Sequence, residues 1–246
     1  VRWRFGDDDG LQLGKAAIPL SLTPMTWDDD LRPVGLSLHA SGTAREFDRW
    51  QFDAGVFAPD PLQHDGSRLT AAQFAWHWRE GAPFSAGVIV AWLDWSDIAT
   101  LARAGLGRGN SLVAGRYRHD YRLLDLQAYA RWRIDGRPLE FRLNRVRNWG
   151  ADEEDDGTRA SLVFGDRLRE PGWEFGWAWE RIQRDAVLAA VNSDDWWFHT
   201  AMRGHMPWVG YGFDGTWSFR VAAFLETRDG LQERTERLLL DIDARW

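Results

Sequence analysis

The chain has 246 residues, no cysteine and a formal net charge of −7. Disulfides, thiol catalysis and thiolate metal sites are therefore excluded, and nucleic acid is disfavoured as the main partner, because phosphate backbones need net positive surfaces. Seventeen tryptophans are the outlying number, and their amphipathic rings suit sites with one apolar and one wet side, membrane interfaces among them. No stretch approaches the roughly 18 to 20 apolar residues of a spanning helix; no unbroken apolar run is longer than AVLAAV at 186–191. No charged, apolar and small-residue leader opens the chain, so any signal peptide is expected to have been removed or never to have been part of this sequence.

Taken in order, segment after segment separates with period two into an apolar face and a polar or small one. Trp50, Phe52, Ala54 and Val56 oppose Gln51, Asp53 and Gly55. Ala72, Phe74, Trp76 and Trp78 oppose Gln73, Ala75 and His77. Phe84, Ala86, Val88, Val90 and Trp92 stand against Ser85, Gly87, Ile89 and Ala91. IATLARAGL at 98–106 is the one stretch that suggests a helix, a short one within a loop. Leu124, Leu126, Ala128, Ala130 and Trp132 follow against Asp125, Gln127, Arg131 and Arg133, then Trp173, Phe175, Trp177 and Trp179 against Glu174, Gly176, Ala178 and Glu180. Trp217, Phe219, Val221, Ala223 and Leu225 oppose Ser218, Arg220, Ala222 and Glu226, and the closing LLLDIDARW sets Leu238, Leu240, Ile242, Ala244 and Trp246 against Asp241, Asp243 and Arg245.

The separators alternate as well. EGAP at 80–83, DGRP at 135–138 and REPG at 169–172 are tight turns by composition, whereas 17–32, 58–67, 97–119, 150–158, 185–195 and 227–236 are longer and polar or acidic. Roughly 12 to 14 strands of about 9 to 12 residues, short turns at one end and long loops at the other, form the pattern of an all-β, transmembrane, antiparallel up-and-down barrel. Nothing marks a domain boundary, so residues 1–246 are expected to be one barrel domain. A soluble β protein with a tryptophan-rich core or carbohydrate-binding face is the alternative for the same alternation.

Two stretches carry a resemblance. LGKAAIPLSLTPMTWDDDLRPVGLSL and WEFGWAWERIQRDAVLAAVNSDDW resemble successive segments of a bacterial porin-like family of outer-membrane β-barrels. The alternating last strand ending on an aromatic residue is similar to the closing strand that barrel assembly machinery reads. The chain departs from the pattern at Ile18-Pro19 and at WWFHT, and Trp246 stands where phenylalanine is more usual. Members of the family usually carry further strands ahead of these segments, so a short or truncated member is expected. The resemblance implies an outer-membrane location, periplasmic short turns, extracellular loops, and passive diffusion of small hydrophilic solutes. Outer-membrane lipids and lipopolysaccharide, together with the assembly machinery, would be its partners, and homo-oligomerisation is left open. A non-conducting structural or adhesive barrel, its interior plugged by the 97–119 loop, is the alternative within the membrane class.

Interior charge would set selectivity. The expected lining is Asp125, Gln127, Arg131, Arg133, Glu140, Arg142, Arg145, Arg220, Glu226, Asp241, Asp243 and Arg245, an arginine ladder facing carboxylates; the same residues could instead be a network that satisfies buried polar groups. An aromatic girdle is expected from Trp50, Trp92, Trp132, Trp173, Trp217 and Trp246, with Trp3, Trp27, Trp95, Trp149, Trp196, Trp197 and Trp208 also near strand ends. ADEEDDG at 151–157 lacks the spacing of a dedicated calcium loop, and His199 and His205, expected on one strand face, lack a third ligand for zinc. Ser193 and His199 are near in sequence but no catalytic motif links them. Neither a cofactor, a metal nor an enzymatic activity is therefore expected.

Overall fold

The structure is a computed structural model that describes residues 1–6, 8–58, 66–214 and 216–244. It is all-β and antiparallel. Thirteen strands form one sheet in which each pairs with its sequence neighbour: β1 (Arg2–Arg4), β2 (Gly10–Lys15), β3 (Val34–Arg45), β4 (Asp48–Ala58), β5 (Arg68–Trp78), β6 (Phe84–Ser96), β9 (Arg122–Ile134), β10 (Arg137–Asn148), β11 (Asp156–Phe164), β12 (Gly172–Ile182), β13 (Met202–Gly212), β14 (Trp217–Arg228) and β15 (Arg234–Ala244). The 97–121 connection adds helix α1 (Ala99–Arg103) and a small hairpin, β7 (Leu112–Val113) with β8 (Arg116–Tyr117). The main sheet's thirteen strands fall within the expected 12 to 14, although β1 has three residues and β2 six, short of the expected length, and the loop helix is found where it is expected.

Connection length divides the sheet into two ends. Strands are joined by two residues between β9 and β10, where Asp135 and Gly136 both take positive φ as a two-residue hairpin turn of matching twist demands. This turn end also carries the 46–47, 79–83, 165–171 and 213–216 connections. The loop end carries 16–33, 97–121, 149–155, 183–201 and 229–233. Two expected loops are shorter than composition suggests, because β11 already starts at Asp156 and β14 runs on to Arg228.

The two faces differ in cover. On the bare face, Phe74, Val88, Val90, Leu126, Phe141, Leu143, Leu162, Phe175, Trp177 and Val221 are all exposed, although each is large and apolar. The other, packed face has alternate positions buried: Gln73, Ile89, Asp125, Asn144, Arg159, Ala178, Met206 and Phe224. Three loop-end connections fold back onto it, and their Leu20, Met25, Trp27, Leu101, Val187, Leu188 and Trp196 join Leu69, Leu93, Trp95, Ile182 and Met202 in one hydrophobic core. The conventional arrangement of a water-soluble sheet is thus inverted over most of its area, with apolar side chains uncovered and polar ones enclosed. β15 pairs with β14 alone, and its Leu238, Leu240 and Ile242 are the barest aliphatics of the sheet at 64–75% exposure.

Candidate functional site

The packed face has two zones, an apolar plug at the loop end and a charged chamber at the turn end. The plug is pinned by polar anchors that leave few buried groups unpaired. Loop 16–33 is tied to the strands through Ser21, whose N–H donates to Gln73 Oε1 at 2.8 Å and whose carbonyl accepts from Gln73 Nε2 at 3.2 Å and Gln127 Nε2 at 2.8 Å. Trp27 stacks on Trp95 with centroids 6.3 Å apart. Loop 97–121 meets loop 183–201 at Asp185, which accepts from Ser111 N–H and Tyr121 O–H, both at 2.9 Å. Glu226 accepts the N–H groups of Trp197 and Phe198, both at 3.0 Å, fixing the turn that drives Trp196 edge-on into Phe224, 5.2 Å away.

Below the plug the packed face turns ionic. Arg131 donates to Glu140 through Nε at 3.1 Å and through Nη2. Arg142 reaches the other oxygen of Glu140 from Nη2 at 3.1 Å and Gln127 from Nη1 at 3.0 Å. The Tyr129 ring lies between both guanidiniums, at 5.7 and 5.4 Å, and its hydroxyl is 2.5 Å from His77 Nδ1. Across the sheet, Arg167 pairs with Asp243 at 3.1 Å and Arg220 with Asp241 at 2.6 Å, whereas Arg159 pairs with Glu180 at 2.6 Å higher up, in the row of the plug anchors Gln127 and Glu226. A cavity of about 650 Å³ opens between the tips of loops 16–33 and 183–201 and strands β14 and β15; Asp28, Asp29, Asp30, Asp194, Asp195, Asp241 and Asp243 line it against Arg167 and Arg220. Burial pushes the carboxyls of Asp28, Asp29 and Asp195 above their ordinary range, and neighbouring aspartates add to the push. A second cavity of about 290 Å³ lies by Arg131, Arg133, Glu140 and Glu174.

The expected lining divides accordingly. Arg131, Arg133, Glu140, Arg142, Arg220, Asp241 and Asp243 share the packed face near these cavities. Asp125, Gln127 and Glu226 are on that face too, but they are corrected to plug anchors: all three are buried, Asp125 and Glu226 completely, and Asp125 accepts from Gln127 at 3.1 Å and Asn144 at 3.0 Å. Arg145 is corrected to the bare face. It lies opposite Leu126, because the three-residue step from Arg142 reverses the side on which a strand residue points. Arg245 and Trp246 lie outside the described residues, as do Asp7 and His64.

Of the expected girdle, Trp92, Trp132, Trp173 and Trp217 are exposed on the bare face and Trp50 is half-buried there, its partner across the sheet being Trp76. Trp27, Trp95 and Trp196 are instead core residues, and Trp208 belongs to the packed face, donating to Glu174 Oε1 at 2.9 Å. The histidine expectation also fails. His199 is a loop residue whose Nδ1 lies 2.9 Å from Asn192 Oδ1, while His205 stands on the bare face beside Trp177. Among the described residues no group of three His, Asp or Glu side chains is gathered to hold a metal ion. Four of the five 151–157 acids are engaged in ion pairs: Glu153 with Arg118, Glu154 with Arg184, Asp155 with Arg147 and Asp156 with Arg145.

Sequence reading missed the Arg159–Glu180 pair, Arg167, and the loop aspartates of the chamber. The strand pair was visible as two charges at packed-face positions; the loop residues carry no periodic signal. Comparison with known proteins matches no family model and no curated protein.

Proposed function

We propose that the chain is a bacterial outer-membrane β-barrel of the porin type, through which small hydrophilic solutes diffuse passively. The observation that carries this reading is the bare face. Large apolar side chains lie exposed along strand after strand, whereas water-soluble monomers confine exposed apolar patches to a few hundred Å². Hydrocarbon is the solvent such a face suits, and closure of the sheet through the free edge of β15 would satisfy the backbone groups that lipid cannot. A soluble carbohydrate binder needs a few aromatic platforms; here valine and leucine share the surface with tryptophan.

In this reading the loop-end plug narrows the passage, and solutes reach it past the chamber in which Asp28, Asp29, Asp194 and Asp195 face the arginines. Opposed charge across a narrow passage orients dipolar solutes and sorts ions. A specific observation favours a second reading, a non-conducting barrel: three loops, the 97–121 connection among them, join one continuous core on the packed face. Refolding from urea into detergent should give a species that runs faster on gels before boiling than after, and planar bilayers should then show discrete conductance steps. Heat-modifiable migration without conductance selects the non-conducting barrel. A monodisperse chain in plain buffer removes both membrane readings.

A further inference from the structure

One row of residues crosses six strands on the bare face at the loop end. The register aligns Arg145 with Thr158, Thr158 with Arg181, Arg181 with Arg203, Arg203 with Thr227, and Thr227 with Arg234. The next row toward the turn end is apolar over most of its length, Leu143, Ala160, Trp179, His205 and Leu225 in order before Glu236 on β15, and Phe141, Leu162 and Trp177 follow below it. Arginines therefore border the apolar area on its loop-end side.

Two of the four have an acidic neighbour: Arg145 binds Asp156 at 3.1 Å and Arg234 binds Glu236 at 3.5 Å. Arg181 and Arg203 stand directly opposite each other on adjacent strands, both exposed, and no carboxylate pairs with either among the described residues. Like charges facing each other across a ladder are destabilising. A surface that keeps such a pair beside bare hydrocarbon-loving side chains is complementary to an anion located at a membrane boundary.

We infer that Arg181 and Arg203, flanked by Arg145, form a docking surface for the phosphate groups of a lipopolysaccharide headgroup. This rests on the barrel reading, which puts the arginine row at the bilayer surface. A diphosphorylated glycolipid suits the row better than a single-phosphate lipid. From Arg145 to Arg203 is three strand steps, about 14 Å at about 4.8 Å each, wide enough for two phosphates to find separate guanidiniums, while acyl chains lie along Trp177 and Leu162. Guanidinium groups give bidentate phosphate contacts that an ammonium cannot, and the two threonines of the row add hydroxyl donors.

The test uses the full chain folded in detergent micelles carrying either a diphosphorylated lipid A or its dephosphorylated form, with binding read by intrinsic fluorescence. The diphosphorylated lipid should bind at least tenfold more tightly, Arg181→Gln with Arg203→Gln should abolish that preference, and Arg131→Gln with Arg133→Gln on the packed face, an equal loss of charge, should leave it intact. Equal binding of the two lipids, or a preference unaltered in the Arg181/Arg203 variant, overturns the inference while heat-modifiable migration keeps the barrel reading standing. Competition by inorganic phosphate at the lipid's own concentration overturns the lipid source. Failure of the chain to fold in detergent overturns both readings together.

Discussion

The loop end and the turn end of the packed face occupy the same side of the same strands, yet they solve burial differently. At the loop end, β6 presents Leu93 and Trp95 to inward-folded loops and the result is a dry core; at the turn end, β9 and β10 present Arg131, Glu140 and Arg142 to one another and the result is a half-exposed ionic lattice. Alternation is identical in both. What differs is whether a connection is long enough to come back. Loops 16–33, 97–121 and 183–201 are; the two-residue 135–136 turn is not. Stability is therefore expected to reside at the loop end and charge selectivity at the turn end.

The largest expected effects lie in the plug. Trp27→Ala, which deletes a ring buried against Trp95, is expected to cost about 3–5 kcal/mol in urea unfolding of the folded protein, whereas Arg131→Gln, at a pair open to solvent, should cost under about 1 kcal/mol. A reversal of that order would mean that the ionic lattice holds the fold. On the bare face, Leu162→Arg is expected to lower stability by about 2–4 kcal/mol when the protein sits in lipid vesicles and far less in plain detergent, since micelles adapt around a charge. Glu226→Gln leaves one backbone donor of the Trp197–Phe198 turn poorly satisfied, at about 1–3 kcal/mol; hydrogen exchange should show those two amides opening first.

In the chamber, Asp28→Asn with Asp195→Asn should reduce the cation-over-anion permeability ratio severalfold without changing stability downward, read as a shift in reversal potential under a salt gradient. Burial holds these carboxyls above their ordinary range, so the folded state takes up protons more readily than the unfolded one and gains stability as pH falls through the raised values. His199 has the opposite sign. Burial, with Arg108 nearby, lowers it to about 4 against about 6.5 unfolded, so its contribution is intact above about 6.5 and is lost progressively as pH falls toward 4. The smallest expected effect is thus the difference between wild type and His199→Gln, a slope confined to that window in unfolding measured at successive pH values.

Much of this was legible in the residues. Alternation identifies the two faces of β4, β5, β6, β9, β12, β14 and β15, and turn composition identifies which ends are short. Depth was not legible: Asp125 and Asp241 look alike in a period-two pattern, and only the return of loops 16–33 and 183–201 makes one an enclosed anchor and leaves the other beside a cavity. Arg145 departs from expectation because nearness to Arg142 in sequence is not nearness on a face: three residues along a strand, the side chain points the other way. Trp27, Trp95 and Trp196 were misread for a related reason, since a tryptophan near a strand end can serve an interface or a core, and the choice depends on whether a loop covers it.

The central claim is that the bare face meets hydrocarbon while the packed face encloses water and loops. The chain has no cysteine, so single nitroxide labels at Leu162→Cys and at its neighbour Ser161→Cys report the two faces of β11 independently. With the protein folded in lipid vesicles, the label at 162 should be relaxed strongly by dissolved oxygen and hardly by a water-soluble nickel chelate, with the opposite balance at 161. Equal relaxation of both labels by the nickel chelate, or the reverse assignment, would contradict the account.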